Sequence, residues 1–348
     1  MFRRILVPLD GSARAEKAIP VAARIARHCN ATLVFVEVVL PPVEFGTYSP
    51  DRTVPLKPSA FDRREGTAQS YLESVISNYE EDLDGIGVKL ELLVGAASHE
   101  VYETIRLEAI DLIVLCSHGE TGLKRWVYGS VAQELMRHSS VPILVFNEHG
   151  LVPSMPNTVH TLSVLVPVDG SPLSETALLP AAQVVSALSA PFKSQLRIFF
   201  VVDLPSVYGR LKDYVHITDI VQEDIVQQAR EEAEQYVERL VKRCETEFAG
   251  LNVSVTSSIE VSQEIARTIV HEAERTRDGE GSPTYDMIAM ATHGRSGLSR
   301  LFMGSVTEHV HDTTKLPMLI VRPLQKEGVK ETVSESKPSE VKEVGFAS

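Results

Sequence analysis

The segment Ile5-Leu6-Val7-Pro8-Leu9-Asp10-Gly11-Ser12 decides the fold, because it returns 159 positions later as Val164-Leu165-Val166-Pro167-Val168-Asp169-Gly170-Ser171. A short apolar run that ends in an aspartate–glycine turn is typical of a buried strand followed by a turn. The return of the whole segment predicts that the chain contains two copies of one structural unit.

Two further segments repeat in the same order. SHGETGL at residues 117–123 returns as THGRSGL at 292–298, and GSV at 129–131 returns as GSV at 304–306. Both pairs are 175 positions apart, so the second copy has gained residues between the landmarks. A turn-rich insertion at 277–284 supplies many of them. Three landmarks in one order indicate an internal duplication.

Each copy alternates apolar runs with segments of helical periodicity. Such alternation predicts a parallel sheet with right-handed crossovers, and we expect an α/β fold of two doubly wound five-stranded parallel sheets, each with strand order 3-2-1-4-5. The predicted strands cover 3–8, 32–39, 88–94, 112–116 and 143–146, then 162–167, 196–202, 252–259, 287–291 and 318–321. The predicted helices of the first copy are 13–29, a long helix that ends near 84, one from a cap at Ser98 to 108, and 131–137.

The duplication divides the chain into four parts. We predict domain 1 at residues 1–147, a linker at 148–160, domain 2 at 161–322 and a disordered tail at 323–348. The linker contains three residues that break regular structure, Gly150, Pro153 and Pro156. The tail mixes Lys, Glu, Ser and Val without periodicity, and a short surface helix is the alternative.

Charge and cysteine content narrow the class of protein. The 348 residues carry a net charge of −13, which disfavours binding to nucleic acid or to an anionic membrane. Cys29, Cys116 and Cys244 form no CxxC pair, so we expect neither a disulfide framework nor a metal site. Pro8 and Asp10 interrupt the N-terminal apolar run, and no stretch is long enough for a membrane helix. We therefore expect a cytoplasmic protein.

The best-matched segments lie where a doubly wound sheet binds ligands. In the predicted order the winding direction reverses between strands 1 and 4, and ligands bind there at the carboxyl ends of the strands. Asp10 and Asp169 follow strand 1 and can accept hydrogen bonds from an adenine amino group or a ribose hydroxyl. Gly129-Ser130 and Gly304-Ser305 open a helix, whose free N–H groups and positive dipole end attract phosphate. These residues predict a mononucleotide site in each copy.

The spacing of these glycines resembles that of the universal stress protein family, whose ATP-binding members carry the motif G-x₂-G-x₉-G-[ST]. The matching positions are Cys116, Gly119, Gly129 and Ser130 in the first copy, and Ala291, Gly294, Gly304 and Ser305 in the second. The resemblance spans nearly the whole chain and implies a tandem member with an adenine nucleotide alpha hydrolase-like fold. The first glycine of the motif is replaced in both copies, and a Cβ there would crowd the ribose or the α-phosphate.

The resemblance also implies which residues contact the ligand, which would be ATP with or without Mg²⁺. The implied contacts are Pro8, Leu9, Asp10, Val38, Cys116, Gly119, Gly129, Ser130 and Val131, and in the second copy Pro167, Val168, Asp169, Val201, Ala291, Gly294, Arg295, Gly304, Ser305 and Val306. We expect the better site in the second copy, because Arg295 can pair with a phosphate whereas its counterpart Glu120 would repel one.

Each of these residues also has a purely structural interpretation. The glycines can make tight turns, the serines and aspartates can cap the following helices, and His118 and His293 can form hydrogen bonds within their turns. The sequence has neither a GxxxxGK[ST] loop nor a Ser-His-Asp signature, so catalysis is not indicated beyond slow ATP hydrolysis.

The residues leave two functions open. A nucleotide-responsive stress protein, a sensor or regulator, would use ATP to stabilise one conformation or one partner surface. A nucleotide-free protein–protein interaction module would keep only the fold. In either case the apolar segments 143–146 and 318–321 are predicted to pair antiparallel within the chain, because exposed apolar edge strands need cover. A homodimer that uses this strand is the intermolecular alternative.

Overall fold

The computed structural model describes residues 1–40, 61–119, 126–127, 130–147, 161–204, 219–276, 284–293 and 303–323. The predicted linker lies outside these ranges, as do nearly all of the predicted insertion and tail. The strands are β1 (Arg4–Leu9), β2 (Thr32–Val39), β3 (Val88–Val94), β4 (Leu112–Gly119), β5 (Trp126–Val127), β6 (Ile143–Asn147), β7 (Ser163–Val168), β8 (Ser194–Asp203), β9 (Val253–Ser262), β10 (Met287–Ala291) and β11 (Met318–Val321).

The helices follow the strands as the alternation predicts. They are α1 (Ala13–Glu16), α2 (Ala18–Cys29), α3 (Phe61–Asn78), α4 (Glu80–Leu83), α5 (Ala97–Leu107), α6 (Ser130–His138), α7 (Pro172–Glu175), α8 (Leu178–Ser189), α9 (Asp219–Glu247), α10 (Ile265–Glu274) and α11 (Ser305–Thr313). We refer to β1–β6 with their helices as the first half and to β7–β11 with theirs as the second half. No helix within the described ranges combines the length and apolar character that crossing a membrane requires.

The ten longer strands form one continuous sheet in the order β3-β2-β1-β4-β6-β11-β10-β7-β8-β9. Neighbouring strands are parallel within each half, so the predicted order 3-2-1-4-5 is confirmed twice. The short strand β5 pairs antiparallel with β4, a pairing that the sequence does not predict. The winding direction therefore reverses beside β1 in the first half and beside β7 in the second. Both predicted sites lie at this reversal, at the carboxyl ends of the strands.

The two halves meet where β6 pairs with β11. The pairing is antiparallel, with Leu144 opposite Leu319, as expected for the last strand of each copy. Further contacts cross the same boundary: Arg24 in α2 donates to the carbonyl of Ala190 (3.4 Å), and Asn147 donates to the carbonyl of Lys315 (3.4 Å). The duplicated units are thus joined edge to edge into one sheet.

Helices cover both faces of the sheet, which explains why the central strands, such as β7, β10 and β11, are buried apolar runs. On one face α2, α3, α8 and α9 pack against a buried cluster that includes Phe35, Leu144 and Leu319. On the other face α5, α6, α10 and α11 pack against a cluster that includes Val145 and Ile320. Both clusters contain residues of β6 and of β11, so each apolar core runs through both halves.

Two details of the helices differ from the sequence prediction. The helix expected at 13–29 is divided at Lys17, which ends α1 and precedes α2. Ser98 does not cap the next helix, because α5 begins at Ala97 after Ala96, and Ala96 contributes no side-chain cap. Helix α2 behaves as its periodicity indicates: it buries Ile19, Ala22 and their neighbours and ends at Asn30 with a left-handed φ of 53°.

Candidate nucleotide site

A cavity of about 460 Å³ opens in the second half, at the carboxyl ends of β7, β8 and β10. It lies beside β7, where the winding direction reverses, and α9, α10 and α11 form the remaining walls. A doubly wound sheet binds ligands at this point, and the volume lies within the range of small-ligand sites. The cavity is therefore the candidate site of the second half.

The structure brings most of the predicted residues of the second half together at this cavity. Those that line it are Pro167, Val168, Asp169, Val201, Ala291, Gly304, Ser305 and Val306. Gly294 and Arg295 lie outside the described residues. Residues separated by more than a hundred positions in the sequence thus meet at one opening, as the strand order requires.

The aspartates that follow β1 and β7 make equivalent turns. Asp169 Oδ1 accepts from the backbone N–H (2.9 Å) and the hydroxyl (2.6 Å) of Ser171, and Asp10 Oδ1 accepts from Ser12 in the same way (3.0 and 2.6 Å). Each serine then accepts from an N–H of the next short helix, as an N-cap does. The turns need Gly11 and Gly170, whose φ angles are +76° and +83°. The aspartates therefore orient the cap, a role that does not depend on a ligand.

Gly304 allows close contact between the end of β10 and the start of α11. Its N–H donates to the carbonyl of Thr292 (2.7 Å), and a Cβ at this position would lie 2.8 Å from that carbonyl oxygen. Only a residue without a side chain fits at this distance. Packing alone thus explains this glycine, and it also leaves the start of α11 without a side chain in front of it.

The N-terminus of α11 faces the cavity. Gly304 is the N-cap, and its carbonyl accepts the first i to i+4 hydrogen bond from Glu308 (2.9 Å). The preceding N–H groups, those of Ser305, Val306 and Thr307, have no partner of this kind within the helix. The Thr307 hydroxyl donates to the carbonyl of Ala291 (2.9 Å) and holds the helix end against β10. The arrangement presents a positive dipole end to the opening.

The serine of the GS pair is not the helix cap. Ser305 occupies the first helical position after Gly304 and is exposed, so the capping role considered from the sequence falls to the glycine. The turn interpretation of His293 agrees with its geometry, since its Nδ1 lies 2.9 Å from the Thr292 hydroxyl. Thr292 and His293 directly follow β10 and thus lie at the start of the motif turn.

The first half has the same backbone frame. Pro8 and Leu9 end β1, Asp10 follows, Val38 lies in β2, and Cys116 and Gly119 lie in β4. Ser130 and Val131 begin α6, whereas Gly129 and Glu120 lie outside the described residues. The strand register agrees between the halves: Pro8 pairs with Val36, and Pro167 pairs with Phe199.

Sequence reasoning missed the side chains that distinguish the two sites. In the same registers Leu9 pairs with Glu37 and Val168 pairs with Phe200, so Glu37 and Phe200 occupy equivalent positions. Phe200 lines the cavity of the second half and meets Tyr236 edge to face, with ring centroids 5.7 Å apart. Comparing β2 with β8 residue by residue would have revealed the exchange.

Glu37 is a carboxylic acid in largely apolar surroundings. Burial, with a further contribution from the negative charge of Asp10, raises the pKa of Glu37 to about 7. Its Oε2 atom is buried and has no hydrogen-bond partner among the described residues. On either side of it in the sheet lie Leu9 and Leu92. The first half thus holds a titratable group where the second holds an aromatic ring.

A comparison with known protein families gives matches for both halves of the chain. A model of the Universal stress protein family matches residues 1–147 and, a second time, residues 161–322. This chain belongs to the universal stress protein family. The two matches make it a tandem universal stress protein, and they cover both halves of the sheet.

Relatives of this universal stress protein match either nearly the whole chain or about half of it. A Mycolicibacterium smegmatis universal stress protein is 24% identical over 324 residues, which cover 92% of this chain and 97% of that protein. One from Methanocaldococcus jannaschii is 30% identical over 150 residues, 42% of this chain and 82% of the relative. The crystal structure of a universal stress protein from Archaeoglobus fulgidus covers 92% of this chain and 98% of its own, with a TM-score of 0.59 and 19% identity. The last similarity supports the fold alone.

Proposed function

We propose that this tandem universal stress protein binds ATP, with or without Mg²⁺, in the cavity of its second half. The bound nucleotide would stabilise one conformation of the protein and so control a surface that a partner recognises during stress. The observation that carries the proposal is the convergence of eight residues, selected from the sequence, on one cavity of about 460 Å³. No catalytic step is part of the proposal.

The walls of the cavity suit the parts of a nucleotide. Phe200 on one face of the sheet, and Val201 and Ile269 on the other, give the cavity apolar walls that suit a planar base. Asp169 is half-buried at the end of β7, near enough to the opening to accept from a sugar hydroxyl. The N-terminus of α11 would receive the phosphates, because unpaired N–H groups and the helix dipole favour negative charge there. Mg²⁺, if present, would be held largely by the phosphates themselves.

A charge placed at the start of α11 tests this proposal. Ser305→Asp adds a carboxylate at the first helical position, where it stabilises the helix through the dipole but repels a phosphate. We expect ATP affinity to fall at least tenfold in isothermal titration calorimetry while the thermal midpoint of the free protein stays the same or rises.

The matched control is Ser130→Asp, the same change at the start of α6 in the first half. It should leave the affinity of the second half unchanged. Equal losses in both variants, or unchanged binding in Ser305→Asp, would place the phosphates elsewhere. Absence of any ATP binding by the wild-type protein would favour a nucleotide-free interaction module.

A further inference from the structure

We propose that Glu37 excludes an adenine nucleotide from the first half, so that each chain holds one nucleotide and holds it in the second half. This inference rests on the proposed function of the cavity. Both halves have the same strand arrangement, and the inference is that one side chain, Glu37, determines which half binds the nucleotide.

Glu37 occupies the place of a residue that lines the cavity in the second half. The pairing of β1 with β2 and of β7 with β8 aligns Glu37 with Phe200, as described above. The helices above these strands align as well, because α3 and α9 bury apolar residues at the same spacing. These residues are Ala68, Leu72 and Val75 in α3, and Ala233, Val237 and Leu240 in α9. Tyr71 therefore corresponds to Tyr236, and beside this tyrosine the first half has Glu37 where the second has Phe200.

The exchange replaces an apolar ring with a carboxylate that is already poorly solvated. In the second half, Phe200 and Tyr236 form an aromatic pair beside the cavity. In the first half, the same location holds Glu37, and its buried Oε2 has no hydrogen-bond partner among the described residues. A base entering there would lose the aromatic contact and would have to displace water from a carboxylate.

The neighbours of Glu37 add to the repulsion of an anion. Among the described residues, the negative charge of Asp10 at the end of β1 acts on Glu37, and Glu37 in turn acts on the Tyr71 hydroxyl of α3. The pKa of Glu37 is raised to about 7, so its carboxylate is mostly ionised at pH 8. A nucleotide with several phosphate charges would then be repelled by this negative charge.

Reciprocal exchange of the two residues tests the inference. Native mass spectrometry and calorimetry at pH 8 would count the ATP molecules bound per full chain. We expect one for the wild type, two for Glu37→Phe, and none for Phe200→Glu. The double variant Glu37→Phe/Phe200→Glu should again bind one, now in the first half. Glu37→Gln, which removes the charge but not the shape, should raise the affinity of the first half above that of the wild type.

The outcomes separate this inference from the proposed function. A wild-type chain that binds no ATP contradicts the proposed function. A wild-type chain that binds two, or a folded Glu37→Phe variant that still binds only one, overturns the role of Glu37 and leaves the cavity of the second half in place. Circular dichroism of each variant verifies folding, and Glu37→Gln keeps the test decisive if the larger Phe side chain disturbs the first half.

Discussion

The two halves share a backbone frame but differ in where a carboxylate lies near the ends of β2 and β8. In the first half Glu37 pairs with Leu9 and has one buried carboxylate oxygen, and the exposed residue just beyond β2 is Leu40. In the second half the equivalent residue is Phe200, and the last residue of β8, which also lines the cavity, is Asp203. The halves thus share their strand register but differ in the side chains that the register places at these two positions.

The junction of the two halves should be the position most sensitive to substitution. Leu319 is fully buried in β11 opposite Leu144, at the junction of the halves. Leu319→Asp should cost about 4 kcal/mol or more in free energy of unfolding, because it buries an unpaired charge in a core common to both halves. Urea unfolding would measure the loss.

The control for the junction is Leu90→Asp in the outer strand β3. Leu90 is 37% exposed, so the same substitution should cost far less there. Equal destabilisation by the two variants would show that the β6–β11 junction is no more sensitive than an outer edge of the sheet.

A smaller change would test how closely α11 must approach β10. Gly304→Ala places a Cβ 2.8 Å from the Thr292 carbonyl oxygen, and the backbone on both sides leaves little room to relax. We expect a loss of about 2 kcal/mol in stability, the usual size of an overpacking effect, together with weaker ATP binding. Thermal unfolding and calorimetry would measure the two effects.

Gly250→Ala serves as the control for Gly304→Ala. A Cβ at Gly250 would have no atom within 4 Å, so the substitution should be close to neutral. If Gly304→Ala is equally neutral, the contact between the Thr292 carbonyl and the start of α11 does not limit the site.

The titration of Glu37 should make a small contribution to the pH dependence of stability. Its pKa is about 7 in the folded protein and near 4.5 in an unfolded chain, so the folded state binds the proton more tightly. Stability contributed by this group is therefore greatest at low pH and is lost as pH rises from about 4.5 to about 7. Glu37→Gln should remove this loss and be more stable than the wild type at pH 8.

We expect that gain to be on the order of 1 to 2 kcal/mol, below the full value of the pKa shift because the side chain is partly solvated. Urea midpoints at pH 5 and pH 8 would measure it. Glu81→Gln, an exposed position in α4, is the control and should show no such pH dependence. A Glu37→Gln gain of the same size at both pH values would contradict the proposed titration.

Much of the fold could be predicted because buried parallel strands are apolar on both faces. The predicted bounds of β10 and β11, which are buried throughout, agree with the structure residue for residue, and the alternation of strands with helices led to the expected strand order. Helix starts were less predictable. Ser98 has the chemistry of a cap, but α5 begins one residue earlier, since cap geometry depends on the path of the preceding loop.

The candidate site was predictable in location but not in detail. Motif spacing selected Asp169, Gly304 and Ser305, all of which line the cavity. It could not select Glu37, which carries no motif and looks like any polar residue in a strand. Its significance depends on the register between strands, on burial and on the charge of Asp10, none of which a linear pattern records. Likewise, only coordinates relate Gly304 to the Thr292 carbonyl.

The β6–β11 pairing within one chain differs from the pairing of two separate chains in its dependence on protein concentration and in its symmetry. When two identical chains associate through such strands, every substitution occurs on both sides at once, and the pair dissociates as concentration falls. Here one chain supplies both strands, so their pairing is intramolecular and independent of protein concentration. A mutation in one copy is not mirrored in the other, so the two copies can carry different residues at equivalent positions, here Glu37 and Phe200.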